Sequence, residues 1–169
     1  MISKSVSKSD MRIIAHRGNI CGSDPLRENR LDYVSAALDD GFDVEVDVRV
    51  IDGILMLGHD KPQEQVSLSF LQNNHVWVHA KNTDALTMLL DDGRVNVFWH
   101  DTDDYTLTAY GDLWTHPKAK PLPSSIFVMP ETLLMPFDSG QKISDLIQSV
   151  IGQSVGICTD FARNIREKT

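Results

Sequence analysis

Residues 43–60 read DVEVDVRVIDGILMLGHD, and this stretch leaves few folds open. Val44, Val46, Val48 and Val50 recur with a strict period of two, which calls for an extended strand with one apolar face. The opposite face carries Asp43, Glu45, Asp47 and Arg49. Asp52-Gly53 between two apolar runs is the strongest short hairpin signal. With those two residues as the turn, Ile51 is expected opposite Ile54, Asp47 opposite Gly58 and Val46 opposite His59. The rival is a crossover into a parallel strand. Both routes return His59 to Glu45 and Asp47, and the hairpin is preferred.

The rest of the chain alternates between short apolar runs and helical patterns. RIIAH (12–16), VWVHAK (76–81), VNVFWH (95–100), LWTHP (113–117), SIFVMPE (125–131) and SVGICTDF (154–161) read as strands. Helical spacing is expected over 28–41, where Leu31, Val34, Ala37 and Leu38 share a face and Gly41 suits the stop. Residues 67–74, 83–93, 104–112 and 143–152 read as further helices. Strands alternating with helices predict βα units and a parallel sheet. With no Gly-rich phosphate loop to favour a doubly wound fold, the expected class is α/β: a compact or incomplete TIM (β/α) barrel with a β-hairpin insertion after strand 2. It is compact because 169 residues fall short of the roughly 250 typical of such barrels. The expected division is a polar tail over 1–10, one domain over 11–163 and a charged tail over 164–169.

A net charge of −8 argues against broad binding to phosphate backbones, so no nucleic-acid partner is expected. A local cationic pocket for one phosphate is compatible with it. No apolar run approaches the ~20 residues of a membrane span, and the first ten residues lack the apolar core of a signal peptide. Two cysteines, Cys21 and Cys158, make no disulfide framework. A cytoplasmic protein with reduced thiols is expected; the oligomeric state is left open.

Five of the six histidines, His16, His59, His79, His100 and His116, end an apolar run, as do Glu131 and Asp160. In a barrel the C-terminal strand ends meet at one mouth, so these positions are expected to share a pocket. Glu45 and Asp47 face the same way, and buried together they call for a divalent cation. Oxygen ligands favour Mg²⁺ or Ca²⁺. Arg17 can grip a phosphate in bidentate fashion. Lys81 is a second cation on the His79 face.

IIAHRGN, ENR, VEVDVRVIDG and LMLGHD, in that order and spacing, resemble the glycerophosphodiester phosphodiesterase family of the phosphatidylinositol-phospholipase-C-like barrel superfamily. GICTDF is similar to that family's last strand. The likeness implies His16 and His59 as the acid–base pair and Glu45 and Asp47 as metal ligands. It implies Arg17 and Lys81 as phosphate-holding groups, with Glu28 and Asn29 beside the site. His100 and His116 are added from their strand ends as substrate-binding candidates. VHAK departs from the family's Glu-x-Lys, so His79 stands where a ligand carboxylate is expected, which admits Mn²⁺ or Zn²⁺.

The expected function is metal-dependent hydrolysis of a small phosphodiester. One alternative is a metal-dependent amidohydrolase-like enzyme, disfavoured because His16-Arg17-Gly18 replaces the required His-x-His. The other is a barrel that binds a phosphorylated ligand without turning it over.

Overall fold

Strand β2 (Asp43–Ile51) organises the sheet. In the computed structural model, which describes residues 11–134 and 153–169, one edge of β2 pairs in parallel with β1 (Arg12–His16). Further along that edge the chain turns at Asp52-Gly53 and pairs antiparallel with β3 (Ile54–Leu57), Ile51 opposite Ile54 and Val48 opposite Leu57. Asp52 and Gly53 have φ of 50° and 79°, the paired positive values that a two-residue hairpin turn needs. The Gly58 N–H then donates to the Asp47 carbonyl at 3.0 Å. The hairpin register is therefore the expected one, and the crossover does not form. The other edge of β2 pairs in parallel with β5 (Val76–Ala80), which sets Asp47 beside His79.

The remaining strands are β4 (Glu64–Gln65), β6 (Asn96–Phe98), β7 (Tyr105–Leu107), β8 (Leu113–Thr115), β9 (Ser125–Val128) and β10 (Gly156–Thr159). Together they make one ten-stranded mixed sheet. The run β6-β5-β2-β1-β10-β9-β8 is parallel throughout, while β3, β4 and β7 attach antiparallel. The sheet curls into a half-barrel.

This corrects the expected architecture, because an alternating TIM (β/α) barrel is not formed. The described residues hold four helices: α1 (Leu31–Asp39), α2 (Leu68–Leu71), α3 (Thr83–Asp92) and α4 (Ala162–Arg166). Residues 104–112, expected to be helical, instead supply β7 and a turn closed by Thr108 N–H on the Asp112 carbonyl at 2.9 Å. Tyr105, Thr106 and Leu107 favour a pleated surface over a helix, and they pair with Thr115, Trp114 and Leu113. Pro117, Pro121 and Pro123 then deny the next segment a helix. Contacts outside the strand ladders link β6 to β8 and to the segment after β7. Ala109 N–H donates to the Val97 carbonyl at 2.8 Å, and the Phe98 and Trp114 rings lie 4.6 Å apart. The expected helix over 143–152 and the tail over 1–10 lie outside the described residues. Within the 164–169 segment, α4 continues to Arg166 and buries Ile165.

The period of two in β2 decides which groups reach the interior. Val44, Val46, Val48 and Val50 pack on the convex face with Val34 and Ala37 of α1 and Ala85 and Leu89 of α3. Asn82 caps α3, its side chain accepting from Ala85 N–H, and Gly93 ends it at φ 70°. On the concave face Trp77, Phe98, Trp114, Ile14, Ile126 and Cys158 fill the space below the strand ends. Glu45 and Asp47 lie above this plug, both buried. Among the described residues no helix is long and apolar enough to cross a membrane.

Candidate active site

At the C-terminal ends of the parallel strands a cavity of about 480 Å³ is lined by His16, Arg17, Glu45, His59, His79, Lys81, His100 and His116, with Phe98, Trp114, Val128 and Met129 along its walls. All five strand-end histidines meet here from positions 100 residues apart in the chain. His75, the sixth, lies just before β5, where its Nδ1 is 2.7 Å from Asp43.

Asp47 is fully enclosed. Its N–H donates to Asn29 Oδ1 and its Oδ2 accepts from Asn29 Nδ2, both at 2.9 Å. Asn29 can do this because it adopts a left-handed φ of 59° in the turn before α1. Arg17 Nε also lies 2.9 Å from Oδ2, and Arg17 Nη1 donates to Glu28 Oε2 at 3.1 Å. Glu28 is held in turn by Asn19 and Ser23. Burial alone would raise the Asp47 carboxyl, but the His79 contact and the Arg17 charge bring it well below the usual range. Glu45 is pushed the other way, by burial first and by the Asp47 charge second.

His79 completes a cluster with these two carboxylates. Its Nδ1 lies 3.2 Å from Asp47 Oδ1 and 3.9 Å from Glu45 Oε1. Its Nε2 lies 2.9 Å from the His100 carbonyl oxygen, which can only accept, so Nε2 carries the proton. In neutral His79, Nδ1 then offers a lone pair to the same space as Asp47 Oδ1, a buried oxygen with no aligned hydrogen-bond donor. With Nδ1 unprotonated, these two lone-pair atoms suit a cation between them; with Nδ1 protonated, the two groups form an ion pair, the contact that lowers the Asp47 carboxyl. One ligand atom from each of Glu45, Asp47 and His79 fits within 4.8 Å of the others, so the residues suit a divalent ion. With one nitrogen and two oxygens the set suits Mn²⁺ or Zn²⁺ as well as Mg²⁺. Lys81 Nζ stands 4.0 Å from Asp47 Oδ1.

No family model, no curated protein and no solved structure matches this chain.

The two candidate proton carriers are held differently. His16 Nδ1 is 2.8 Å from Asp160 Oδ1, and its Nε2 is 3.9 Å from Glu45. Burial lowers its pKa, but the Asp160 bond and the Glu45 charge outweigh this and leave it raised. His59 sits past the hairpin, its Nδ1 2.6 Å from Asp60, while Arg49 bonds the Gly58 and His59 carbonyls. Gly58 has φ of 134°, and a Cβ there would lie 2.1 Å from the Lys61 carbonyl oxygen, so only glycine fits this bend.

His100 and His116 lie side by side with ring centroids 5.1 Å apart. The pKa of His100 is lowered, first by burial and then by His79 and His116. Glu28 and Asn29 reach the site indirectly, through Arg17 and Asp47. Two partners of these groups have roles that the sequence alone does not assign. Asn19 donates to Glu28 and Asp160 at 3.0 and 2.9 Å, and Asp160 holds His16. The signal for Asp160 was its strand-end position; for Asn19 it was its place directly after His16-Arg17-Gly18.

Proposed function

We propose that this protein hydrolyses a small phosphodiester, with a divalent cation on Glu45, Asp47 and His79. The observation that carries the reading is one cavity lined by two imidazoles, His16 and His59, two cations, Arg17 and Lys81, and by Glu45 and His79 of the cluster that Asp47 completes beneath it. Cleaving a phosphodiester requires compensation of charge on the phosphoryl oxygens and proton transfer at two oxygens. Each requirement has its residues here.

When bound, the cation supplies Lewis-acid stabilisation of the charge on the phosphoryl group. Arg17, braced by Glu28 and Asp47, and Lys81 donate to phosphate oxygens. One of His16 and His59 takes the proton of the attacking hydroxyl or water, and the other protonates the leaving oxygen. Imidazole suits both tasks near neutral pH. Asp160 holds His16 through Nδ1, leaving Nε2 for the transfer. His100 and His116 line the same cavity and contact the alcohol groups of the substrate. The motif likeness to glycerophosphodiester phosphodiesterases supports a glycerophosphodiester-like substrate. A cytoplasmic setting with Cys21 and Cys158 as thiols belongs to the same reading.

The test is a panel of small phosphodiesters with Mg²⁺, Ca²⁺, Mn²⁺ or Zn²⁺. His16→Ala is expected to lose roughly 10²–10⁴ in turnover. Full turnover by that variant would sink the assignment. Binding of phosphate esters with no turnover under any metal would select a ligand-binding protein instead.

A further inference from the structure

The strand end that carries Asp160 is held by a buried carboxyl group to which the reaction above gives no task. Glu131 is the second residue of the 3₁₀ turn Pro130–Leu134 that follows β9, and only 2% of it is exposed. Its Oε1 accepts from Thr159 Oγ1 and from the Asp160 N–H, each at 2.8 Å. The Asp160 side chain in turn takes Asn19 Nδ2 at 2.9 Å and meets His16 Nδ1 at 2.8 Å. Glu131 therefore fixes the backbone of Asp160, and Asn19 fixes its carboxylate. Met129, two residues before Glu131, donates its N–H to the Cys158 carbonyl at 2.7 Å, which keeps β9 and β10 in step up to the turn.

We propose that Glu131 is a positioning residue for His16, acting through the backbone of Asp160. The inference rests on the reading of His16 as a proton-transfer group. A simple turn contact is the competing explanation, and the other oxygen of Glu131 argues against it. Among the described residues Oε2 is buried with no hydrogen-bond partner, an arrangement that costs stability whichever protonation state the carboxyl adopts. Burial raises the carboxyl's pKa, and the Asp160 charge adds to this, while the bonds from the Asp160 N–H and Thr159 oppose it. A serine or threonine caps a backbone N–H without this cost. A long side chain reaching from the β9 turn to β10 has one evident return: Asp160 is presented to His16 at a fixed distance. Met129 and Thr132 of the same segment line the cavity, so the segment that holds Asp160 also forms part of the cavity wall.

The experiment compares Glu131→Ala, Glu131→Gln and Thr159→Val in the full chain. It uses steady-state kinetics on a cleaved diester and the NMR signal of the hydrogen-bonded His16 Nδ1–H. Glu131→Ala is expected to lower kcat roughly 10- to 100-fold with KM unchanged within about twofold. The Nδ1–H signal should be lost to exchange. Glu131→Gln keeps an acceptor oxygen and should restore both the signal and most of kcat. In an Asp160→Ala background, Glu131→Ala should cost nothing more, because the route to His16 is already cut. Thr159→Val removes one of the two donors to Glu131 with little change in shape, and should lower kcat less than Glu131→Ala. Wild-type kcat and an intact Nδ1–H signal in Glu131→Ala overturn the proposal, as they do in Thr159→Val if Glu131→Ala does not fold. Equal losses with Asp160 present or absent also overturn it. If the wild type cleaves no diester yet shows the Nδ1–H signal, lost in Glu131→Ala and kept in Glu131→Gln, the positioning role stands and the phosphodiesterase reading falls.

Discussion

His79 Nδ1 lies 3.2 Å from Asp47 Oδ1, because β5 runs parallel to β2 with these two residues in register. The pairing puts an imidazole where a carboxylate would make an all-oxygen site. An all-oxygen site favours hard ions, whereas an imidazole brings Mn²⁺ and Zn²⁺ into range.

Metal binding is accordingly expected to depend on His79. His79→Ala should weaken Mn²⁺ and Zn²⁺ binding by at least about 10-fold, the lower bound seen even for removal of a residue behind a ligand. His79→Glu should shift the preference towards Mg²⁺ and Ca²⁺. Titration calorimetry on the three proteins decides the matter, and an unchanged affinity in His79→Ala removes it from the site.

Metal should also raise thermal stability by mass action. At a concentration 100 times Kd, one ion that binds only the folded chain adds about 2.7 kcal/mol. Melting with excess Mn²⁺ against melting with chelator should show this in the wild type and not in Asp47→Ala. Equal shifts in both proteins would place any bound metal elsewhere.

Gly58→Ala should harm the protein more than Gly53→Ala. Both glycines have positive φ, at a cost of about 1–2 kcal/mol for alanine. At Gly53 a Cβ meets nothing within 4 Å, whereas at Gly58 it strikes the Lys61 backbone. The Gly58 variant should therefore lose more Tm, and its turnover should fall because the loop carrying His59 must move. Equal Tm losses would mean that this loop yields without cost.

Stability should fall with acid partly through Glu28. Burial raises its carboxyl, but bonds from Ser23, Asn19 and Arg17 outweigh this and leave the folded pKa below the ordinary 4.5. The unfolded chain then binds the proton more readily. The stabilisation is present above about pH 4.5 and is lost as pH falls through the lower folded value. Glu28→Gln should cost about 1–3 kcal/mol at pH 7. Its gap from wild type should close below pH 4.5 in denaturant titrations. A gap independent of pH would mean that the ionised carboxylate contributes nothing to folding.

Local pattern carried a large part of the site. The alternation in β2 placed valines on one face and Glu45 and Asp47 on the other, since side chains in a strand alternate whatever lies nearby. Asp52-Gly53 set the hairpin register through its turn chemistry. The strand-end histidines were legible as a set, and they share the cavity. The segment 104–112 departs from its local pattern and forms β7. Its helix-like spacing is short, and pairing with β8 outweighed it. That departure carried the expected β/α alternation with it, and the half-barrel replaces the barrel.

The sequence by itself determined which residues point inward along each strand and where the chain turns, because those are properties of a few neighbouring residues. Only the tertiary structure decided which inward residues meet. Asp160 lies 144 positions from His16, and their 2.8 Å contact exists because β10 pairs with β1. His79 meets Asp47 because β5 takes the free edge of β2. Strand order and register are set by burial summed over the whole sheet, so no local pattern in either partner encodes these contacts.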